Sequence, residues 1–238
     1  MKRLALVALA ALFLPASVAG GTRLTVLAAA SLTDVFPRIE KAPRYSFAGS
    51  DQLALQIREG APADVYAAAS PRYAQLLYRE GFVLKPVVFA TNRLVVLVPR
   101  SNRARIHSVY DLRRDGVKVV IGDKTVPIGT YTREILDRLG IVDDVTKNVV
   151  SEETDVKGIV TKVALGEADA GFVYRTDAKA VASHTRTIAL PRWAQPPIRY
   201  ELAVVKASSH RAAARSFVRE VTSKRGRKLL LQGGFGLP

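Results

Sequence analysis

Short runs of apolar residues alternate along the chain with longer stretches in which apolar positions recur every three or four residues. The short runs are typical of buried strands, and the three-to-four spacing is typical of amphipathic helices. Strands that alternate with helices predict α/β units with largely parallel sheets. Strands are predicted at residues 24–27, 45–47, 65–68, 93–98, 117–121, 170–173, 187–190 and 199–205. The helices predicted between them include residues 51–59, 71–80, 130–139, 156–165 and 211–221.

Several predicted strands end in small residues directly before a hydroxyl or a turn. Ser31 follows the first strand and Ser50 the second, each where a helix should begin, so both are predicted to be helix N-caps. A helix start carries backbone N–H groups without partners and therefore attracts anions. Asp155 is predicted to cap a later helix. From the residues alone, a serine of this kind is either a plain cap or an anion ligand.

The set of strand-end motifs resembles one known family. The motifs, in chain order, are AAASLTDVF, FAGSDQLA with EGAPADV, VPIGTY, DVKG and GFVYRTDA. In this order they resemble the periplasmic molybdate-binding proteins of ABC transporters, over nearly the whole chain after its N-terminal segment. The resemblance implies the type II periplasmic binding protein fold. In that fold two lobes, each a mostly parallel sheet flanked by helices, hold the ligand in the cleft between them.

The resemblance also supplies the domain boundaries, because composition marks no linker. Residues 20–91 and 200–238 would form lobe one, and residues 92–199 would form lobe two. The chain would cross between the lobes near 91–92 and again near 198–200. Ligand binding would then close the lobes by a hinge motion.

Five ligand-binding residues follow from the resemblance. Ser31 and Ser50 would each give a backbone N–H and a hydroxyl, Ile128 and Val156 only a backbone N–H, and Tyr174 its phenol hydroxyl. Molybdenum would be held only as the oxyanion, with no protein ligand to the metal and no further cofactor. Pro127 and Gly129 would shape a loop that exposes the amide of Ile128.

A site made of donors limits the choice of anion. Phosphate carries a proton at neutral pH and needs a buried acceptor, whereas molybdate, tungstate and sulfate are fully deprotonated dianions. Neutral donors also suit reversible capture, because no ion pair has to be broken on release. The resemblance favours molybdate with tungstate, and a receptor of the same fold for sulfate is the alternative.

The first nineteen residues are typical of a secretion signal. Lys2 and Arg3 precede an apolar stretch at residues 4–14, Pro15 interrupts it, and Ser17 to Ala19 form a small-x-small cleavage site. The apolar stretch is too short to span a bilayer. Cysteine is absent, which excludes disulfides, thiolate metal sites and a lipid-anchoring cysteine. The sequence therefore predicts a free periplasmic protein, acting as a monomer with a membrane permease and its ATPase.

The chain is unusually basic, with a formal net charge of +15. Such a charge could indicate nucleic-acid binding, but the basic residues are scattered and an export signal argues against that partner. The one dense cluster, at residues 224–228, is predicted to be a solvated helix face. The charge is interpreted as steering anions toward the protein.

Other function classes find little support in the sequence. The three histidines share no motif, and no GxSxG elbow is present, so a hydrolytic enzyme is disfavoured. A transcription regulator would need a DNA-binding segment where the signal lies. A ferric-ion receptor would need tyrosine and carboxylate ligands together, and only Tyr174 is in place.

The sequence departs from the resembled family in one connection. The link from Ser31 to the second strand is shorter than is usual in that family.

Overall fold

Two five-stranded sheets organise residues 23–238, the part of the chain that the computed structural model describes. The predicted signal at residues 1–19 lies outside this part. The first sheet contains β1 (Thr25–Ala29), β2 (Arg44–Ala48), β3 (Val65–Ala68), β4 (Val87–Asn92) and β10 (Ile198–Val204), in the order β2-β1-β3-β10-β4. The second contains β5 (Leu94–Pro99), β6 (Val119–Gly122), β7 (Val149–Glu153), β8 (Ala170–Tyr174) and β9 (Thr185–Ala189), in the order β7-β6-β8-β5-β9.

The two sheets share one pattern of strand direction. Strands β2, β1 and β3 are parallel, β10 is antiparallel to both β3 and β4, and β5 is likewise antiparallel to both β8 and β9. Strands β7, β6 and β8 are parallel. Four strands of each sheet therefore point the same way, which confirms the predicted α/β class, and their carboxyl ends face one cleft.

Helices cover both sheets, and each sheet with its helices is called a lobe below. Lobe one carries α1 (Phe36–Ile39), α2 (Ser50–Arg58), α3 (Pro71–Arg79), α8 (Arg211–Thr222) and α9 (Lys224–Gly233). Lobe two carries α4 (Pro127–Arg138), α5 (Val142–Thr146), α6 (Val156–Ala164) and α7 (Arg175–Ala180). Three short 3-10 helices lie at Ala30–Leu32, Val109–Arg113 and Arg192–Ala194.

The chain passes between the lobes twice. It leaves lobe one at Arg93, between β4 and β5, and returns between β9 and β10. The boundaries taken from the resemblance, 91/92 and 199/200, lie within about two residues of these strand ends and stay a prediction. The eight predicted strands are all present, and β4 and β7 are two strands that the apolar pattern did not predict.

A row of aromatic side chains connects the two lobes through the core. Phe36 packs against Phe89 and Phe217, each at 5.7 Å between ring centroids. Phe89 contacts Tyr200 at 6.1 Å, and Tyr200 contacts Tyr174 of lobe two at 5.8 Å. Buried aromatic pairs in such tilted geometry stabilise beyond the area they bury. The core therefore fixes Tyr200 and Tyr174 at the junction of the lobes.

Asp64 ties together three segments of lobe one. Its carboxylate accepts hydrogen bonds from the Thr25 N–H at 2.7 Å, the Ser208 hydroxyl at 2.6 Å and the His210 ring at 3.1 Å. Burial alone would raise the pKa of Asp64, but these hydrogen bonds hold it below its ordinary value. The role of Asp64 is therefore structural, since it holds the start of β1 against the segment after β10.

The basic cluster at residues 224–228 lies in the first half of α9. Lys224, Arg225, Arg227 and Lys228 are exposed and Gly226 faces the core, so the prediction of a solvated helix face is confirmed. Within residues 23–238, none of the helices combines the length and the apolar composition that crossing a bilayer requires.

Candidate functional site

A small cavity lies where the carboxyl ends of the two sheets face each other. The space open to the centre of a water-sized molecule is only about 20 Å³, so the cavity is suited to a small ligand. The structure brings all five predicted ligand residues together around it. The lining residues are Ala29, Ala30, Ser31, Ala48, Gly49, Ser50, Ala69, Val126, Pro127, Ile128, Asp155, Val156 and Tyr174.

Ser31 is not the N-cap that the sequence predicted. It is the middle residue of the 3-10 helix Ala30–Leu32, and α1 begins only at Phe36. Its hydroxyl oxygen lies 2.9 Å from the hydroxyl of Tyr200, which also accepts from the Asn92 side-chain amide at 3.3 Å. If Tyr200 donates to Ser31, the proton of Ser31 is left for the cavity.

Ser50 differs from its predicted role in a similar way. Gly49 is the N-cap of α2, and Ser50 is the first residue of the helix. The Ser50 hydroxyl accepts from the N–H of Ala69 at 3.1 Å, while the Tyr66 hydroxyl donates to the Ser50 carbonyl at 2.6 Å. Since the hydroxyl oxygen accepts from the protein, its own proton can be donated to a ligand.

Ile128 lies in the first turn of a helix rather than in a loop. Helix α4 begins at Pro127, three residues earlier than predicted, and proline is favoured at this position. The N–H of Ile128 has no acceptor within the helix, as for every first-turn amide. Gly129 is required by packing, because a Cβ there would lie 1.9 Å from the Asp123 carbonyl oxygen.

Val156 opens α6 behind the predicted N-cap. The Asp155 carboxylate accepts from the N–H groups of Lys157 at 2.7 Å and Gly158 at 3.2 Å, which confirms its capping role. With those two amides satisfied, the N–H of Val156 is the first-turn donor that the cap leaves for the cavity.

Tyr174 ends β8 with a hydroxyl that is buried and has no hydrogen-bond partner. Its side chain is 2 % exposed, and burial raises its pKa well above the ordinary value. The phenol therefore stays protonated, and a hydrogen bond to a ligand acceptor would stabilise it. An orphaned donor at the wall of a cavity indicates that a ligand atom belongs there.

The cavity as a whole is rich in donors and poor in charge. No lysine or arginine is among its lining residues, and the one carboxylate, Asp155, is occupied by its helix. The first turns of α2, α4 and α6 converge on it, and their dipoles favour negative charge. This arrangement suits a small, fully deprotonated anion.

Other features of the described residues do not compete with this cavity. A larger groove of about 930 Å³ lies at the two crossings, and it contains none of the predicted ligand residues. Within residues 23–238, no group of three or more His, Asp or Glu side chains is arranged to hold a metal ion.

Sequence reasoning missed the residues that orient the donors. Tyr200 and Asn92 support Ser31, and the amide of Ala69 supports Ser50. Tyr200 and Asn92 lie far from Ser31 in the sequence, so no local motif connects them. Their only signal is a polar group in a strand that is buried.

A small donor-lined cavity between two α/β lobes defines a two-lobed ligand-binding protein. A family model described as bacterial extracellular solute-binding protein matches residues 24–236, and the chain belongs to this family.

Individual relatives agree with that assignment. The molybdate-binding protein ModA of Mycobacterium tuberculosis is 39% identical over 229 residues, covering 92% of this chain and 86% of the relative. The solved periplasmic molybdate-binding protein of Azotobacter vinelandii has a TM-score of 0.78 at 22% identity, covering 91% of this chain and all of that one. The sulfate-binding protein SubI of Mycobacterium tuberculosis has a TM-score of 0.77 at 21% identity, covering 90% and 86%. The fold is thus common to receptors named for different oxyanions.

Proposed function

We propose that this protein captures molybdate, and tungstate as its close analogue, in the cavity between the lobes. It then delivers the oxyanion to a membrane ABC permease driven by an ATPase. It acts as a monomeric receptor in the periplasm and not as an enzyme. The ligand-binding residues are Ser31, Ser50, Ile128, Val156 and Tyr174, and molybdenum is bound only as the oxyanion.

The observation that carries the proposal is the set of donors around one cavity. The Ser50 hydroxyl accepts from the N–H of Ala69, and the Ser31 hydroxyl shares a hydrogen bond with Tyr200. The Tyr174 hydroxyl has no partner. Two first-turn amides complete the set. Hydrogen bonds to a charged acceptor stabilise by about 1.5–3 kcal/mol each. These five donors, together with the backbone N–H groups proposed for Ser31 and Ser50, can hold a dianion without a counter-charge.

The chemistry of the cavity disfavours phosphate. A protonated phosphate oxygen would need an acceptor, and the Asp155 carboxylate already accepts two N–H groups. Among the fully deprotonated tetrahedral dianions, the 39% identical relative named for molybdate supports that choice. Sulfate is the second candidate, because the same donors serve it and a sulfate-binding neighbour has this fold.

Isothermal titration of the protein with molybdate, tungstate, sulfate and phosphate tests the proposal. We expect one-to-one binding that is tight for molybdate and tungstate and weak for sulfate and phosphate. Tight sulfate binding with weak molybdate binding would make sulfate the solute. Absence of heat for all four anions would overturn the proposal of an oxyanion receptor.

Tyr174→Phe is expected to weaken molybdate binding about 10- to 100-fold, because one hydrogen bond to a charged acceptor is lost. The unliganded protein should be as stable as the parent or more stable, since an unpartnered buried hydroxyl is removed. Titration calorimetry and urea unfolding measure the two effects.

Tyr45→Phe serves as the control for this tyrosine. Its hydroxyl donates to the Glu40 carbonyl at 2.6 Å, outside the cavity. Tyr45→Phe should be less stable than the parent and bind molybdate with the same affinity, whereas Tyr174→Phe should be as stable and bind more weakly. A Tyr174→Phe protein that lost stability but bound molybdate normally would remove Tyr174 from the site.

A further inference from the structure

Several side-chain contacts join the lobes, and two of them involve carboxylates that lie within three residues of proposed ligand donors. On one side the ammonium of Lys157 lies 2.8 Å from a carboxylate oxygen of Asp34. Asp34 belongs to lobe one, three residues after Ser31, and Lys157 belongs to lobe two, directly after Val156. The residues that bridge the lobes are therefore carried by the same segments that present two of the proposed ligand donors.

The second bridge repeats this pattern with the other two segments. The Thr125 hydroxyl of lobe two lies 3.0 Å from the Asp51 carboxylate of lobe one and 2.7 Å from the Asp123 carboxylate of its own lobe, so its one proton is shared between them. Asp51 directly follows Ser50, and Thr125 lies three residues before Ile128. This bridge is a hydrogen bond from a neutral hydroxyl, whereas the first joins opposite charges.

Lys157 is held in place by a second carboxylate from its own lobe. The side chain of Asp177, in α7, is completely buried, and its nearer oxygen lies 3.0 Å from the Lys157 ammonium. Neither Asp177 oxygen has a hydrogen bond of good geometry, so Lys157 is its counter-charge. Because both residues belong to lobe two, this pair does not depend on the angle between the lobes.

Asp34, in contrast to Asp177, is exposed and pairs with Lys157 across the cleft. Its side chain is 59% exposed, and Lys157 is the one cation within ion-pair distance of it among residues 23–238. When the lobes separate, Asp34 loses this partner to water while Lys157 keeps Asp177. The Asp34–Lys157 pair can therefore form only in the closed arrangement.

We infer that Asp34, Lys157 and Asp177 form an electrostatic latch across the cleft, in which Asp177 positions Lys157 and Lys157 captures Asp34 on closure. The latch rests on the proposed function only in its purpose, which is to slow release of the bound oxyanion. A contact that forms after the ligand has entered affects the dissociation rate and leaves the association rate unchanged.

The test compares the parent with Asp34→Asn, which removes the charge and keeps the shape. Asp115→Asn is the matched control, because Asp115 is an exposed aspartate with no ion-pair partner in the described part of the chain. The chain has no cysteine, so Leu55→Cys and Leu165→Cys can carry a pair of fluorophores. These positions are 51% and 70% exposed, in lobe one and lobe two respectively.

Stopped-flow release of molybdate is expected to be about three-fold faster in Asp34→Asn than in the parent, as for a partly exposed ion pair. The association rate should change by less than two-fold. Release from the parent should also accelerate with added salt, and that salt dependence should be weaker in Asp34→Asn. Asp115→Asn should match the parent. Equal release rates for the parent and Asp34→Asn would overturn the latch.

A second variant separates positioning from simple folding. Lys157→Met would leave Asp177 buried without a counter-charge and is expected to be unstable. Lys157→Met with Asp177→Asn removes both charges, and should fold and release molybdate as fast as Asp34→Asn. Adding Asp34→Asn to that pair should have no further effect. A further acceleration would show that Asp34 acts through some other partner and would overturn the latch.

The fluorophore pair tests the latch independently of the proposed function, because it reports closure without a ligand. If the parent bound no oxyanion, the proposed function would fail, and the ligand-free closed fraction would become the readout. In that case the parent should be closed more often than Asp34→Asn by about three-fold. Equal closed fractions would overturn the latch.

Discussion

Replacing Ser31 and Ser50 together with alanine is expected to weaken molybdate binding by about 10²- to 10⁴-fold. Each hydroxyl removed is worth about 1.5–3 kcal/mol when it donates to a charged acceptor, and each 1.4 kcal/mol is a factor of ten in affinity. The two serines lie on different segments of lobe one and share no hydrogen-bond partner, so their effects should add approximately. Titration calorimetry of the two single variants and the double variant measures this directly.

Some loss of stability is expected in the same double variant. Ser50→Ala leaves the N–H of Ala69 without its acceptor, and Ser31→Ala removes one of the partners of Tyr200. Ser208→Ala controls for this loss, because Ser208 is also a buried, hydrogen-bonded serine of lobe one but lies outside the cavity. The control should lose stability and bind normally. A double variant that bound molybdate as tightly as the parent would show that the site has been assigned to the wrong residues.

Gly49→Val is expected to prevent closure and to weaken binding about 100-fold. A Cβ at position 49 would lie 2.5 Å from the backbone oxygen of Thr154 and 3.2 Å from the side chain of Val126, both in lobe two. The backbone of Gly49 has φ −58° and ψ 138°, which valine adopts readily. Within lobe one the added Cβ would lie 2.6 Å from a carboxylate oxygen of Asp51, the end of a side chain that can move aside. The rigid part of the clash, with the Thr154 backbone, therefore falls on the contact between the lobes. Forced overpacking costs up to about 3 kcal/mol.

Small-angle scattering and titration calorimetry together measure this effect. Gly49→Val should keep the unfolding midpoint of the parent, remain open with saturating molybdate, and bind weakly. Gly233→Ala is the matched control, since its Cβ would make only ordinary contacts, at 3.4 Å or more, with side chains of lobe one. Full closure of Gly49→Val on adding ligand would contradict the close approach of the lobes at this residue.

The strand pattern could be predicted wherever apolar residues run together and are buried on both faces. The two unpredicted strands fail this condition for different reasons. Strand β7 (Val149–Glu153) is an edge strand in which three of the five residues are polar, so its pattern resembles a loop. Strand β4 (Val87–Asn92) has only a short apolar part before the polar residues 91–93, and Arg93 alone separates it from β5, so no turn marks it as a strand of its own.

The candidate site could be predicted as a set of segments but not as a set of local conformations. Ser31 and Ser50 lie inside the first turns that they were predicted to cap, and Pro127 begins a helix that was predicted to start at Thr130. The difference arises because small residues tolerate several turn geometries, and tertiary contacts such as Ser31 with Tyr200 select one. The motifs therefore specify which residues meet, while distant partners decide how each is oriented.

The central position of β10 also determines the order in which the molecule can assemble. Lobe two is formed from one continuous stretch between β5 and β9, so its sheet needs no strand from outside that stretch. Lobe one needs β10 between β3 and β4, and all of lobe two separates those strands from β10 in the sequence. Pairings between distant segments form slowly. A growing chain that has not reached Ile198 can therefore complete one lobe only, and the binding cavity, which needs both lobes, cannot form before β10 is present.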